Sequence, residues 1–261
     1  MSTATFHDIA KERFRLNPAK CYQRHIRDVH AEIEPREQID SLQDAEVIST
    51  SKTEASKIIL RYEWLRTLGR GASSFYGLSL DGELIGAVCF GVGASPEARN
   101  ICGAKYIQLA ACLMRGACVP WAPKNAASFL IRHACRQAYK DHGWQIFFAY
   151  SDPAAGEIGT VYQAANWFYI GQGLGRRKGD VHLDWIAPNG TIVSSHHKKL
   201  RTKKDMFALG YRPMPAIPKR KYVWFEGSPT ERQRMRSQCR FPRLTYPKKS
   251  DHCGSEIKTA I

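Results

Sequence analysis

The stretch Phe75 to Gly93, FYGLSLDGELIGAVCFGVG, does most to limit what this chain can fold into. Two runs rich in strand-forming residues flank the pair Asp81-Gly82. An Asp-Gly pair accepts the positive φ angles of a two-residue hairpin turn, whose twist matches that of the strands it joins. The sequence therefore commits to an antiparallel strand pair here.

The remaining elements are arranged around that hairpin. Upstream, SKTEASKIILRYEWLRTLG predicts a helix. Ser51 followed by Glu54 is a capping box, Ala55, Ile58, Tyr62 and Leu65 share one face, and Gly69 is the stop. Residues 1 to about 45 mix charged and apolar residues, are broken by Pro18 and Pro35, and predict one or two short helices packed on the rest. Downstream, KYIQLAACLM has the apolar character of a buried strand, and RGACVPWAPKN reads as a polar turn. Asn125 is placed to cap the helix AASFLIRHACRQAYKDHG, which keeps apolar spacing to a glycine stop. WQIFFAYSD predicts a strand ending at Asp152, followed by a loop, a short helix VYQAANW and a strand FYIGQGLG. The pair Asn189-Gly190 in VHLDWIAPNGTIVSS predicts a second hairpin. The glycines of GQGLG follow a helix and enter a strand, the reverse of a dinucleotide-binding turn.

The net charge is +15, and nearly all of it lies in the last third. Between Arg176 and Lys249 there are 19 Lys and Arg against five Asp and Glu. A field of one sign concentrated this way is the footprint of a polyanion, and the expected partner is a nucleic acid. No run of eighteen apolar residues exists to span a membrane. The first residues lack the charged-then-apolar layout of a secretory signal. The chain is therefore expected in the cytoplasm, with no membrane partner and with reduced thiols. Cys89, Cys112 and Cys135 sit in apolar runs, as small hydrophobes do. The cysteine and histidine spacings form no paired zinc motif, so no metal ligand is assigned.

The order helix, hairpin, long strand, helix, strand, short helix with a tyrosine, strand resembles the GNAT acyltransferase fold. The segments YEWLRTLG, FYGLSLDGELIGAVCFG, IQLAACLMRGACVPWAPKNAASFLI and YSDPAAGEIGTVYQAANWFYIG are similar, in this order, to the Mom DNA-modification family of phages. The resemblance covers roughly residues 50 to 190. It implies an α/β (α+β) chain with a central mixed, twisted sheet and helices on both faces. It also implies double-stranded DNA as the partner and conversion of its adenine to N6-(carbamoylmethyl)adenine, which shields phage DNA from restriction in the host cytoplasm. The expected organisation is a helical segment over residues 1–50, a GNAT-like catalytic core over 51–195, and a basic nucleic-acid-binding extension over 196–261. The last dozen residues are expected to be mobile.

Adenine N6 is a weak nucleophile, because its lone pair is delocalised into the ring. The chemistry therefore needs an activated electrophile, an acceptor for an N6 proton and a base held outside the stack. Asp152, at a strand end, is read either as that acceptor or as a loop-bonding residue before Pro153. Tyr162 is read as the group that protonates a leaving group, or as a core tyrosine. Ser128, with Lys124 and Asn125 at a helix start, is placed to hold donor phosphate, or is an ordinary helix-start serine. Arg115 is read as a phosphate partner or a solvated turn arginine. Glu63 reaches the cleft or pairs on the surface with Arg66 or Arg70. Tyr62, Trp64 and Trp121 are candidates to stack on an extruded base or to fill the core. Lys198, Lys199, Lys203 and Lys204 are candidate DNA contacts.

GNAT enzymes that use acetyl-CoA carry glycines at the donor loop, whereas the corresponding APKNAASF has none. The donor is accordingly acetyl-CoA or glycyl-tRNA, the second bringing tRNA in as a carrier. Glycyl is an isomer of carbamoylmethyl and already contains the nitrogen that acetyl lacks. Two other readings stand beside the enzyme on DNA. One is a non-catalytic DNA-binding phage protein with a degenerate GNAT shell. The other is an acyltransferase acting on RNA.

Overall fold

Asp81 (φ 50°) and Gly82 (φ 79°) form the expected turn, joining β2 (Ala72–Leu80) to β3 (Glu83–Gly91) with Leu80 opposite Glu83. The computed structural model describes residues 37–63, 67–92, 95–153, 157–173, 183–190, 192–193, 202–215 and 218–248. Trp64, Lys198, Lys199 and the last dozen residues lie outside the described residues, as does most of the segment 1–45.

The hairpin is the seed of a seven-stranded mixed sheet. β1 (Glu46–Ser49) pairs with β2, and β3 pairs with β4 (Ala110–Cys118), both antiparallel. β4 meets β5 (Ile146–Ser151) in parallel, as the intervening helix α3 (Ala126–His142) allows. Beyond β5 lies β10 (Arg220–Phe225), and β6 (Phe168–Gln172) forms the far edge. A second sheet of three strands, β7 (Leu183–Ile186), β8 (Ile192–Val193) and β9 (Arg212–Pro215), lies in the chain between β6 and β10. β7 and β8 are the hairpin expected at Asn189-Gly190.

Alternation along the central strands divides the core between the two faces of the sheet. Phe147 and Ala149 of β5 and Tyr222 of β10 turn to one face. There they pack with helix α1 (Lys52–Tyr62) through Ala55 and Ile59, and with α3 through Leu130 and Ala134. Ile146, Phe148, Val223 and Phe225 turn to the other. They meet Ile101 and Met235, the latter from helix α6 (Pro229–Ser237). A short helix α2 (Pro96–Arg99) precedes Ile101 in the chain. Complete burial of side chains such as Phe147, Phe148 and Leu130 contributes about 1.5–3 kcal/mol each relative to exposure.

Several expectations are corrected. The helix that starts at Ser51, whose side chain accepts from the Glu54 N–H, stops at Tyr62 instead of Gly69. Glu63 turns to an extended conformation (ψ 139°), and its side chain is buried. KYIQLAACLM is not one strand: Ala104–Leu109 is a 3-10 turn, and β4 starts at Ala110. The supposed polar turn supplies the end of β4, because β3 offers ladder partners as far as Gly86 opposite Cys118. Asn125 makes no side-chain cap; its backbone is already helical (φ −92°, ψ −1°), which carries the side chain out of capping position. Glu46–Ser49 is an edge strand and not part of a helical segment. Most consequentially, the main sheet does not end at residue 195. Arg220–Phe225 fills the gap between β5 and β6, because Tyr222, Val223 and Phe225 alternate as a two-sided core strand must.

β10 also buries a charge. Lys221 is 6% exposed, donates to the Ala98 carbonyl at 2.6 Å and lies 4.9 Å from the Phe148 ring centre. Burial pulls its pKa from 10.5 down to about 8, while Cys112 and Cys239 push the other way. Between these two pH values the unfolded chain keeps a proton that the folded chain has released. Stability contributed by this group therefore rises with pH across that window, by roughly 3 kcal/mol. Lys221→Met should flatten that rise and leave stability at neutral pH equal or higher, as urea denaturation at the two ends of the window would show.

Candidate active site

β4 and β5 are paired over only three positions, Ala110–Cys112 against Ile146–Phe148. Beyond them β4 stays with β3 as far as Cys118, and β5 stays with β10 as far as Ser151. The two parallel strands therefore diverge, and a wedge opens at their carboxyl ends, where α/β sheets receive ligands. Met114, Arg115 and Gly116 are half-buried along one arm. The start of α3 and the end of β5 belong to this same end of the sheet.

Helix α1 delivers Glu63 to this region. Glu63 is 5% exposed and lies 3.9 Å from Arg115 Nε, which also reaches Thr67 Oγ1 at 3.4 Å. Arg115 further donates to its neighbour's carbonyl, Met114 O. Glu63 therefore makes a largely buried pair with Arg115. Arg66, one of the two expected surface partners, lies outside the described residues. Arg115 lies opposite Cys89 of β3, whose thiol burial pushes up to about 11 against the opposing pull of Arg115.

The loop after β5 delivers Tyr162. Gly159 turns the chain at φ 75° into the short helix α4 (Thr160–Ala164). The Tyr162 ring lies 5.4 Å from Trp167 and 5.2 Å from Tyr222, so part of its role is packing. Among the described residues no hydrogen-bond partner holds its hydroxyl. Burial raises its pKa well above the ordinary phenol value. The charges of Glu157, Cys112 and Glu63 add to that rise, and Arg115 opposes it. Tyr162 thus lies within electrostatic reach of both members of the Glu63–Arg115 pair. A phenol held neutral in this way donates a proton or a hydrogen bond; it does not serve as a base at neutral pH.

Gln163 is structural. Its amide donates to Ile158 O at 2.9 Å and Pro247 O at 3.2 Å, while the Tyr222 hydroxyl also donates to Ile158 O. A Cβ at Gly159 would run into the Tyr222 ring as well as meet an unfavourable φ. Gly159→Ala should therefore lower stability by more than about 1 kcal/mol. Calorimetry would register this as a fall in Tm.

Asp152 does close its strand as expected, and it is ion-paired: Lys219 Nζ lies 3.4 Å from its Oδ2. Its carbonyl accepts the Glu157 N–H at 3.1 Å, which folds the following loop back on it. Ser128 donates to Asn125 O at 2.9 Å. Lys124 and Asn125 are exposed at this helix start, and Asn125 does not cap it. Tyr62 and Trp121 are both 7% exposed and pack edge to face at 6.1 Å. Burial takes both rings out of the role of stacking on an extruded base, because the core already covers their faces. Lys203 and Lys204 are exposed on α5 (Lys203–Ala208), in the three-stranded unit. Among the described residues no three His, Cys, Asp or Glu gather as a metal site.

A family model described as "Mom protein family" matches residues 44–248, from just before β1 to the residues that follow α6. The chain belongs to the Mom family. None of the curated proteins matches it. Similar solved structures include an IAA acetyltransferase from Bacillus cereus (12% identity, 70% of this chain and 99% of that one, TM-score 0.39). An N-acetyltransferase from Staphylococcus aureus matches at 13% identity, over 69% of this chain and 98% of its own, with a TM-score of 0.38. An aminoglycoside acetyltransferase in complex with coenzyme A and kanamycin matches at 11%, over 74% and 98%, with a TM-score of 0.40.

In this Mom family chain, sequence reasoning missed Lys219, Glu157 and Tyr222 as neighbours of the candidate residues. The first two stand out only once the fold brings them to Asp152 and Tyr162. Tyr222 had a signal: in KRKYVWF the buried residues of a strand sit behind a basic run that drew attention to charge.

Proposed function

We propose that this chain is a transferase that modifies adenine in DNA, converting it to N6-(carbamoylmethyl)adenine and so protecting phage DNA from restriction. Membership in the Mom family over residues 44–248 carries this reading. The wedge between β4 and β5, with Glu63, Arg115 and Tyr162 in mutual electrostatic reach, supports it. In this reading Tyr162 protonates the departing group, Asp152 accepts a hydrogen bond from the adenine N6–H, and Arg115 with the start of α3 faces the anionic part of the donor. Lys219, 3.4 Å from the Asp152 carboxylate, holds it in place until the base arrives. Anti-restriction activity follows directly. DNA recovered from cells that express the chain should resist restriction enzymes whose sites contain adenine, and full cutting would count against the proposal.

Of the two donors, acetyl-CoA and glycyl-tRNA, the second is the one whose atoms balance. An acetyl group would need a separate nitrogen source and an oxidant to become carbamoylmethyl. The uncapped, glycine-free start of α3 also favours glycyl-tRNA. Acylation of N6 by glycyl leaves a free amine, which can attack C6. Rupture of the original C6–N6 bond then gives C6–NH–CH2–CO–NH2, with the former N6 as the amide nitrogen. Isotopically labelled glycine should enter the modified base under this route. Entry of labelled acetate instead would assign acetyl-CoA.

A further inference from the structure

The basic region is not a tail. Residues 173–219 are inserted between β6 and β10, neighbouring antiparallel strands of the main sheet, and hold ten Lys and Arg against three Asp. The insertion is closed at its root by the Gly173 N–H donating to Lys219 O at 2.6 Å. Lys219 also pairs with Asp152, and Arg220 lies opposite both Ser151 and Gln172. The insertion therefore leaves the sheet at the end where β5 presents Asp152.

Its described part has a small interior and an unusual exterior. Trp185 and Met206 are buried, at 5% and 2% exposure. Thr202 caps α5 by accepting the Asp205 N–H at 3.1 Å. Outside, Phe207 is 57% exposed, with one edge against Trp185, and Leu209 is 61% exposed. Lys203 and Lys204 stand four and three residues before Phe207, on the same side of α5. Arg212, just beyond, is also exposed.

We infer that this insertion is a duplex-DNA docking module. Lys203, Lys204 and Arg212 hold phosphates, while Phe207 and Leu209 press into the base stack beside the target adenine. The inference rests on the adenine-modifying reading. Charge complementarity selects the partner, since apolar side chains between cations suit a polyanion with an apolar interior. Loosening a base step also lowers the cost of extruding the adenine toward Asp152 and Tyr162.

The test is fluorescence anisotropy of the full chain on a short duplex carrying 2-aminopurine next to an adenine, across a salt series. The parent should bind with steep salt dependence and raise the 2-aminopurine signal. Lys203→Gln with Lys204→Gln should reduce the slope of log K against log salt by nearly two. Phe207→Ser with Leu209→Ser should weaken binding about tenfold, leave that slope unchanged and abolish the 2-aminopurine rise. The lysine variant should melt as the parent does. Phe207→Ser gives up one edge contact with Trp185, so the second variant should melt slightly lower and still be folded at the assay temperature. Parent-like duplex binding in both variants would overturn the inference, as would a loss confined to tRNA binding. Duplex binding that responds as expected, with no modified adenine in cellular DNA, would sustain the docking inference while the adenine reading failed. Normal modification with unaltered affinity in the variants would do the reverse.

Discussion

Tyr162→Phe is expected to lower the rate of adenine modification by about 10²–10⁴-fold, the usual worth of a positioned proton donor. The ring contacts with Trp167 and Tyr222 survive the change, and among the described residues no hydrogen bond is lost. Stability should therefore stay within about 1 kcal/mol of the parent. Duplex affinity should be unaltered, since Tyr162 belongs to α4 and not to the basic insertion. Burial raises the pKa of this phenol above its ordinary 10.0, so the proton it donates remains in place throughout the neutral and mildly alkaline range. A pH profile of the parent should accordingly show no loss of activity from this group below about pH 10. A variant with full activity would remove Tyr162 from the chemistry and leave it a packing residue.

Arg115→Met should cost about 3 kcal/mol of stability as well as activity. It removes the guanidinium that lies 3.9 Å from the buried Glu63 carboxylate. The double variant Glu63→Gln, Arg115→Met should recover most of that stability, because a buried pair is replaced as a unit. Activity should not return with it. Urea denaturation of the three variants separates the two effects. A loss in the double variant equal to the sum of the two single losses would show that the pair has no mutual dependence. Removing Arg115 also removes a charge that lowers the pKa of Tyr162, so the phenol should titrate still higher in that variant.

The turn chemistry of this chain was legible at once, since Asp81-Gly82 and Asn189-Gly190 permit little else. The order of the central elements was legible for a related reason, because α3 and the strands around it keep their periods cleanly. What hid was anything decided by a distant partner. β4 runs on to Cys118 because β3 lies beside it, although RGAC by itself reads as a turn. Glu63 looked like a surface acid in a basic neighbourhood until the fold laid Arg115 alongside. The largest gap concerned residues 196–261. Their charge drew attention to binding and concealed that Tyr222, Val223 and Phe225 complete the main sheet. Asp152 and Tyr162 could be placed along the chain in advance, one at the end of a strand and one in a short helix. Lys219 could not be placed beside Asp152, since 67 residues separate it from the carboxylate it holds.

The central claim is that this Mom family chain transfers a group to adenine in DNA. Nucleoside mass spectrometry of DNA from cells expressing the chain tests it most directly. The account predicts a deoxyadenosine in which one N6 hydrogen is replaced by a carbamoylmethyl group, absent from cells that express Tyr162→Phe. Unmodified deoxyadenosine alongside folded, abundant protein would contradict it.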